Sequence, residues 1–165
     1  MKSLALSLLA ALTLIGAAQA QAESLYEPLV VVQPQPVVVR LAEEQQLVAD
    51  INQTRAQQGL PPVTVDGLLT KAALLHAQDM ARRRFFGHFT PDGASLPDRL
   101  DAVGFHWSVA AENIALDEDE SHANAALLQS PDHRANILDP RVQKIGVAAL
   151  GVGVGAALYV EDFAQ

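Results

Sequence analysis

Three short words constrain this chain more than anything else in it: Gly87-His88-Phe89-Thr90-Pro91-Asp92-Gly93, Ala111-Glu112-Asn113-Ile114-Ala115 and Ser130-Pro131-Asp132-His133-Arg134-Ala135-Asn136-Ile137-Leu138. Each sets one titratable group beside residues that fix its backbone. His88 precedes the Pro91-Asp92-Gly93 turn. His133 lies three residues past Ser130, which reads as a helix cap followed by a proline suited to the first turn. Two imidazoles and a carboxylate can bind a divalent cation, or pair as acid, base and orienter. Either chemistry requires a fold that brings His88, Glu112 and His133 together, with Glu112 in hydrogen-bond reach of at least one imidazole.

The first twenty residues read as an export leader. Lys2 is the positive end, Leu4 to Gly16 the apolar stretch, and Ala18-Gln19-Ala20 a small-x-small cleavage site. The apolar run is short for a membrane span, and with no cysteine no lipid can be attached at the cleavage site. The expected product is exported, periplasmic or extracellular, and not an integral membrane protein after cleavage. The chain carries 11 basic and 19 acidic residues, for a net charge of −8. An acidic chain without a basic stripe repels phosphate backbones, which argues against nucleic acid as a partner. An exported fold without cysteine must be held by packing alone, or with help from a metal.

Residues 21–40 read as a flexible arm, because Pro28, Pro34 and Pro36 interrupt the valine runs. The competing reading is an edge strand added to the chain's own domain or to a partner. A first helix is expected from Glu43 to Gln58, with Leu41, Leu47, Val48 and Ile51 on its apolar stripe, stopped by Gly59 and Pro61-Pro62. A second runs from the Asp66 cap to Arg84, burying Leu69, Ala73, Ala77 and Met80, and His76 on that face reads as a hydrogen-bonded core histidine. Ser95 caps a short helix closed by Gly104, and Trp107 reads as core. A helix over Ser121–Gln129 follows the Asp117-Glu118-Asp119-Glu120 cluster, which reads as solvated rather than as a calcium loop. Ser130 caps the next helix, ended by Pro140. Val142–Leu150 and Ala156–Phe163 read as two β-strands joined through Gly151-Val152-Gly153-Val154-Gly155. On this pattern alone the class is α+β.

The order His88, Glu112, His133, with Ile145-Gly146-Val147 and Tyr159-Val160-Glu161-Asp162-Phe163 behind it, resembles the bacterial SCP-like branch of the CAP superfamily, which groups cysteine-rich secretory proteins, antigen 5 and plant pathogenesis-related proteins. The likeness runs from about Leu41 to Phe163, within an expected domain of residues 41–165. It implies a three-layer α-β-α sandwich around a small antiparallel sheet, and an open cleft where His88, Glu112 and His133 meet. Eukaryotic relatives carry a second glutamate, for which Glu118, Glu120 and Asp132 are the candidates here, none aligned by motif. Asp132 stands where a glycine is usual, Leu127 where an aromatic is usual, and Ala111 where a glycine often opens the segment. Arg134 and Asn136 read as structural. Of Glu161 and Asp162, which face opposite ways, one needs a partner in a helix layer, for which Arg134 is the guess.

The chemistry leaves several functions open. The first is a cation-binding interaction or effector module: His88 and His133 hold a divalent metal, zinc or copper by ligand type, and Glu112 orients them. No organic cofactor is implied. The second is a hydrolase, peptidase-like, in which His88, Glu112 and His133 activate water or a hydroxyl; no serine here sits on a nucleophile turn. Third comes a lipid or sterol carrier, an activity attributed to some relatives, and last the fold with an inert site. The expected partner is an extracytoplasmic protein, peptide or lipid.

Overall fold

The computed structural model describes residues 37–153 and 155–165. The leader and most of the 21–40 arm lie outside the described residues. Strand β1 (Val38–Val39) leads directly into helix α1 (Leu41–Gln57), followed by β2 (Thr64–Val65), α2 (Gly67–Arg83), α3 (Leu96–Val103), β3 (Ala110–Asp117), α4 (Glu120–Gln129), α5 (Pro131–Ile137), β4 (Lys144–Gly151) and β5 (Ala157–Ala164). The sheet runs β1-β4-β5-β3, and β2 pairs with β4 as well. The three long strands are antiparallel; β2 runs parallel to β4, and β1 antiparallel to it. No described helix is long and apolar enough to cross a membrane.

Alternation along β4 and β5 sorts the core onto two faces. Ile145, Val147, Ala149, Tyr159 and Phe163 pack with Leu47 and Ile51 of α1, Ala123 and Leu127 of α4 and Ile137 of α5. On the other face Ala148, Leu150, Leu158, Val160 and Ile114 pack with Ala73, Ala77 and Met80 of α2. A separate cluster gathers Leu69, Ala72, Leu96, Leu100 and Phe105 around α3. The result is the expected sandwich, helices on both sides of an antiparallel sheet. Because both faces are covered, β5 is buried over its whole length, which costs it the polar-apolar alternation of a half-exposed strand. Removing Tyr159 and Phe163, both fully buried, from water contributes about 1.5–3 kcal/mol each. Helix α2 lies so close to β4 that a Cβ at Gly146 would sit 2.1 Å from the Leu69 carbonyl carbon and 2.2 Å from the Thr70 nitrogen. Only glycine permits that approach.

Most helix ends fall where the capping chemistry puts them. Asp66 accepts from the Leu68 and Leu69 amides. The Asp98 carboxylate ties back to the Ser95 amide and hydroxyl. Asp119 caps α4 through the His122 amide.

Several expectations are corrected. Ser130 occupies the cap position of α5, but its hydroxyl makes no capping bond, so Pro131 starts the helix alone. Trp107 is 38 % exposed, outside the core, donating to Asp101. Leu41 is exposed rather than part of the α1 stripe. Val38 and Val39 are an edge strand of the chain's own sheet, because the Arg40 amide bonds the Ala149 carbonyl and its guanidinium reaches the Glu118 and Ala156 carbonyls. The Ala110–Asp117 strand went unread in the sequence.

Candidate functional site

The site is built on Glu112. In β3 it stands directly opposite Asp162 of β5, on the face covered by α2 and α3. Its side chain is nearly closed off, at 3 % exposure. One carboxylate oxygen, Oε1, lies 2.9 Å from Nδ1 of His88. The other, Oε2, accepts from Nη2 of Arg99 at 2.5 Å. Arg99 also donates through Nη1 to the His88 carbonyl at 2.8 Å, so one guanidinium holds the carboxylate and the backbone of the imidazole it orients. A charge-assisted, two-pronged hold of this kind fixes geometry more firmly than either bond alone.

The loop carrying His88 is fixed by its own chemistry. Gly93 donates to the Thr90 carbonyl, Thr90 to the Ala94 carbonyl and Ala94 to the Thr90 hydroxyl. Arg83, at the end of α2, pairs with Asp92. His76 of α2, buried, bonds the Gly87 carbonyl through Nε2 at 3.0 Å and lies 3.8 Å from Oε2 of Glu112. Burial pushes the His76 imidazole below its ordinary range, the charge of Glu112 opposing that shift. The core histidine read in the sequence is therefore also a neighbour of the site.

His88 is the open end of this arrangement. Its side chain is half exposed, and with Phe89, Leu96, Pro97, Ala111 and Glu112 it lines a shallow cleft of about 330 Å³. With Nδ1 on the carboxylate, Nε2 makes no hydrogen bond among the described residues and can act as ligand or base.

His133 stands differently. Its helix, α5, packs on the α1 side of the sheet, and the contact to β3 runs through main chain. Asn113, pointing away from Glu112, donates to the His133 carbonyl and to Oε2 of Glu161. Asn136 donates to the Glu112 carbonyl and to Oδ1 of Asn113. That bears out a structural role for Asn136. Among the described residues no hydrogen bond joins the His133 imidazole to His88 or Glu112, and no group of three or more His, Cys, Asp or Glu could hold a metal ion. A cation here would have at most two such ligands from the described residues.

The acids resolve otherwise than expected. Glu118, Glu120 and Asp132 make no hydrogen bond to Glu112; the carboxyl across the strands from it is Asp162. Glu161 and Asp162 do face opposite ways, but both are fully buried. Arg134 is exposed and pairs with neither. Burial alone drives Glu161 up, to about 7, with only the Asn113 bond opposing. Asp162 is pushed well above the carboxylate range by burial first and then by the adjacent charge of Glu112. Sequence reasoning missed Arg99 and Asp162 as site residues. The signal for Asp162 was its place in a strand with no accounted partner.

A buried carboxylate orienting one imidazole, on the edge strand of a three-layer sandwich, opens onto a shallow cleft rather than a closed pocket. Residues 48–163 match the model of the cysteine-rich secretory protein family, CAP, and the chain belongs to that family. It is 34 % identical over 123 residues to the uncharacterized protein YkwD of Bacillus subtilis, covering 74 % of this chain and 47 % of YkwD. An extracellular SCP-domain protein of Bacillus anthracis superposes with a TM-score of 0.69 at 29 % identity, over 76 % of this chain and 41 % of that one. An outer surface protein of Borrelia burgdorferi gives a TM-score of 0.74 at 20 % identity, over 79 % of this chain and 97 % of that one. The chain thus spans less than half of the two Bacillus proteins.

Proposed function

We propose that this chain is an exported CAP-domain binding module whose cleft engages its ligand through Nε2 of His88. The observation that carries the reading is the division of Glu112 between His88 and Arg99: Oε1 orients the imidazole, and Oε2 is neutralised by the guanidinium. This carboxylate-imidazole pairing fixes the ring and leaves one nitrogen for a cation or a donor group. A divalent cation is the ligand favoured by that chemistry, zinc or copper before calcium or magnesium because the donors are nitrogens. His133 is the candidate second imidazole, with water completing the shell, so the bond is exchangeable rather than structural. Export is supported by the leader-like first twenty residues and by extracellular and outer-surface proteins among the solved structures of the same fold.

Calorimetric titration of residues 21–165 with zinc and with copper tests this. Binding should be abolished by His88→Ala, weakened by His133→Ala and lost in acid, where imidazole is protonated. Equal binding by wild type and His88→Ala would refute it.

Hydrolysis is the second reading, favoured by the same carboxylate-imidazole pair. It needs water as the nucleophile, because the Ser95 hydroxyl is committed to Asp98 at 2.6 Å and that of Ser108 to the Gln165 carbonyl at 3.3 Å.

A further inference from the structure

We propose that Asp162 is the second acid of this site, a neutral carboxylic acid that donates its O–H to Glu112 and so positions that carboxylate for His88. The inference rests on the reading of His88 and Glu112 as the ligand-facing pair, and deepens it.

Register brings the two acids together. Glu112 and Asp162 are cross-strand partners, and side chains directly opposite on one face of an antiparallel pair are in contact range. Asp162 has no exposed surface. Read as an ionised group, neither of its oxygens has a hydrogen-bond partner, which would leave a bare buried charge, among the costliest things a protein can hold. A proton on Asp162 removes both difficulties, since Glu112 is the acceptor beside it.

The surrounding charges agree. From α3 comes Arg99, which already gives one nitrogen to Glu112. From α2 comes His76, buried and held on the Gly87 carbonyl. From β4 the residue opposite Asp162 is Gly146, which offers no side chain. One guanidinium against two anions would leave the pocket with a net negative charge. One guanidinium, one carboxylate and one neutral acid balance.

The consequence reaches the cleft. With Asp162 as donor, Glu112 accepts from three sides: Asp162, Arg99 and His88 Nδ1–H. The neutral His88 ring is then held as the tautomer with Nε2 bare. This supplies the acid that the sequence motifs lack, from the strand behind the site rather than from the loops around it. Asp162 does not touch a cleft ligand; it is a positioning residue.

Two measurements on residues 21–165 without any ligand decide it. In infrared difference spectra at neutral pH, wild type minus Asp162→Asn should show the loss of a protonated carboxyl C=O band, separate from the one removed by Glu161→Gln. Loss of carboxylate bands instead overturns the proposal. The second readout is the His88 tautomer by 15N NMR. Asp162→Asn, whose amide still donates, should keep the proton on Nδ1, whereas Asp162→Leu should shift the tautomer ratio at least two-fold. An unchanged ratio in Asp162→Leu would make Asp162 a space-filling residue and overturn the positioning role. Should the leucine variant not fold, the infrared arm and the asparagine variant still decide the protonation state. Because no ligand enters either assay, the proposal can fail while His88 still binds, and hold where His88 binds nothing.

Discussion

Glu161 offers the sharpest test of how burial shapes this fold. Its side chain lies beneath α1, α4 and α5, fully enclosed, with one hydrogen-bond donor, Asn113, on Oε2 and none on Oε1. No cation pairs with it among the described residues. Burial therefore raises it from 4.5 to about 7. The folded state holds the proton more tightly than the unfolded chain, so the stabilisation is complete below about 4.5 and is lost as pH rises through about 7. The rise corresponds to about 3 kcal/mol between pH 4 and pH 8 or above, a large share of the ~5–15 kcal/mol that holds a domain together. Glu161→Gln keeps the shape and the acceptor for Asn113 but cannot ionise. Urea unfolding of both proteins across pH 4 to 9 gives the difference directly. The variant should match wild type within about 1 kcal/mol at pH 4 and exceed it by roughly 3 kcal/mol at pH 8. The wild-type slope also contains Asp162, raised in the same direction, so only the difference between the two proteins isolates Glu161. A pH-independent difference would refute the reasoning and mean that Glu161 ionises inside the fold at no cost.

Four further outcomes follow from particular contacts. His76 is buried and shifted down, so it supplies stability above its unfolded value of 6.5 that is lost as pH falls through its lower folded value; His76→Leu should flatten the acid limb of the same urea series. Arg55 is fully buried and donates to the carbonyls of Pro61, Ile137, Asp139 and Val142; Arg55→Ala should cost about 3–5 kcal/mol, measured by the shift of the urea midpoint, because the carbonyls lose their donor together. Ser130→Ala should change stability by less than about 0.5 kcal/mol, since its hydroxyl makes no cap bond, whereas Asp66→Ala should cost about 1 kcal/mol by freeing the Leu68 and Leu69 amides. Gly146→Ala should fail to give a dispersed NMR spectrum, because its Cβ would have to displace the main chain of α2.

The helices were legible because their ends are written in local chemistry. Asp66, Ser95 with Asp98, and Gly104 mark boundaries that no tertiary contact has to supply. The β4-β5 hairpin was legible for the same reason, in its apolar runs and glycine turn. Strand β3 was not. It carries Glu112 and Asn113 in succession, and both are buried, one under each helix layer, so the pattern that signals a half-exposed strand is missing. Strands β1 and β2 are two residues each, too short to bear any period. Trp107 misled for another reason: its indole N–H finds Asp101 at the surface, a partner that size and apolarity do not reveal.

The site shows the same division between local and long-range information. His88 and Glu112 were found from their words, and the structure joins them. Arg99 and Asp162 were beyond reach because each acquires its role by placement. Arg99 follows the capping residues of α3 and reads as a surface helix charge until α3 docks beside β3. Asp162 depends on the pairing of β3 with β5: a slip of one residue would put Glu161 opposite Glu112 and send Asp162 to the α1 face. What prevents the slip is the other half of the same pair of dipeptides. Asn113 must meet Glu161, and through its amide it also holds the His133 carbonyl and accepts from Asn136. The Glu112-Asn113 and Glu161-Asp162 pairs therefore lock each other, acid against acid on the cleft side and amide against acid on the other. The helix bearing His133 is tied to this lock through main chain, not through its imidazole. In the chain without a cation, the hydrogen bonds that tie α5 to the site therefore run through the backbone of β3, where Asn136 bonds the Glu112 carbonyl.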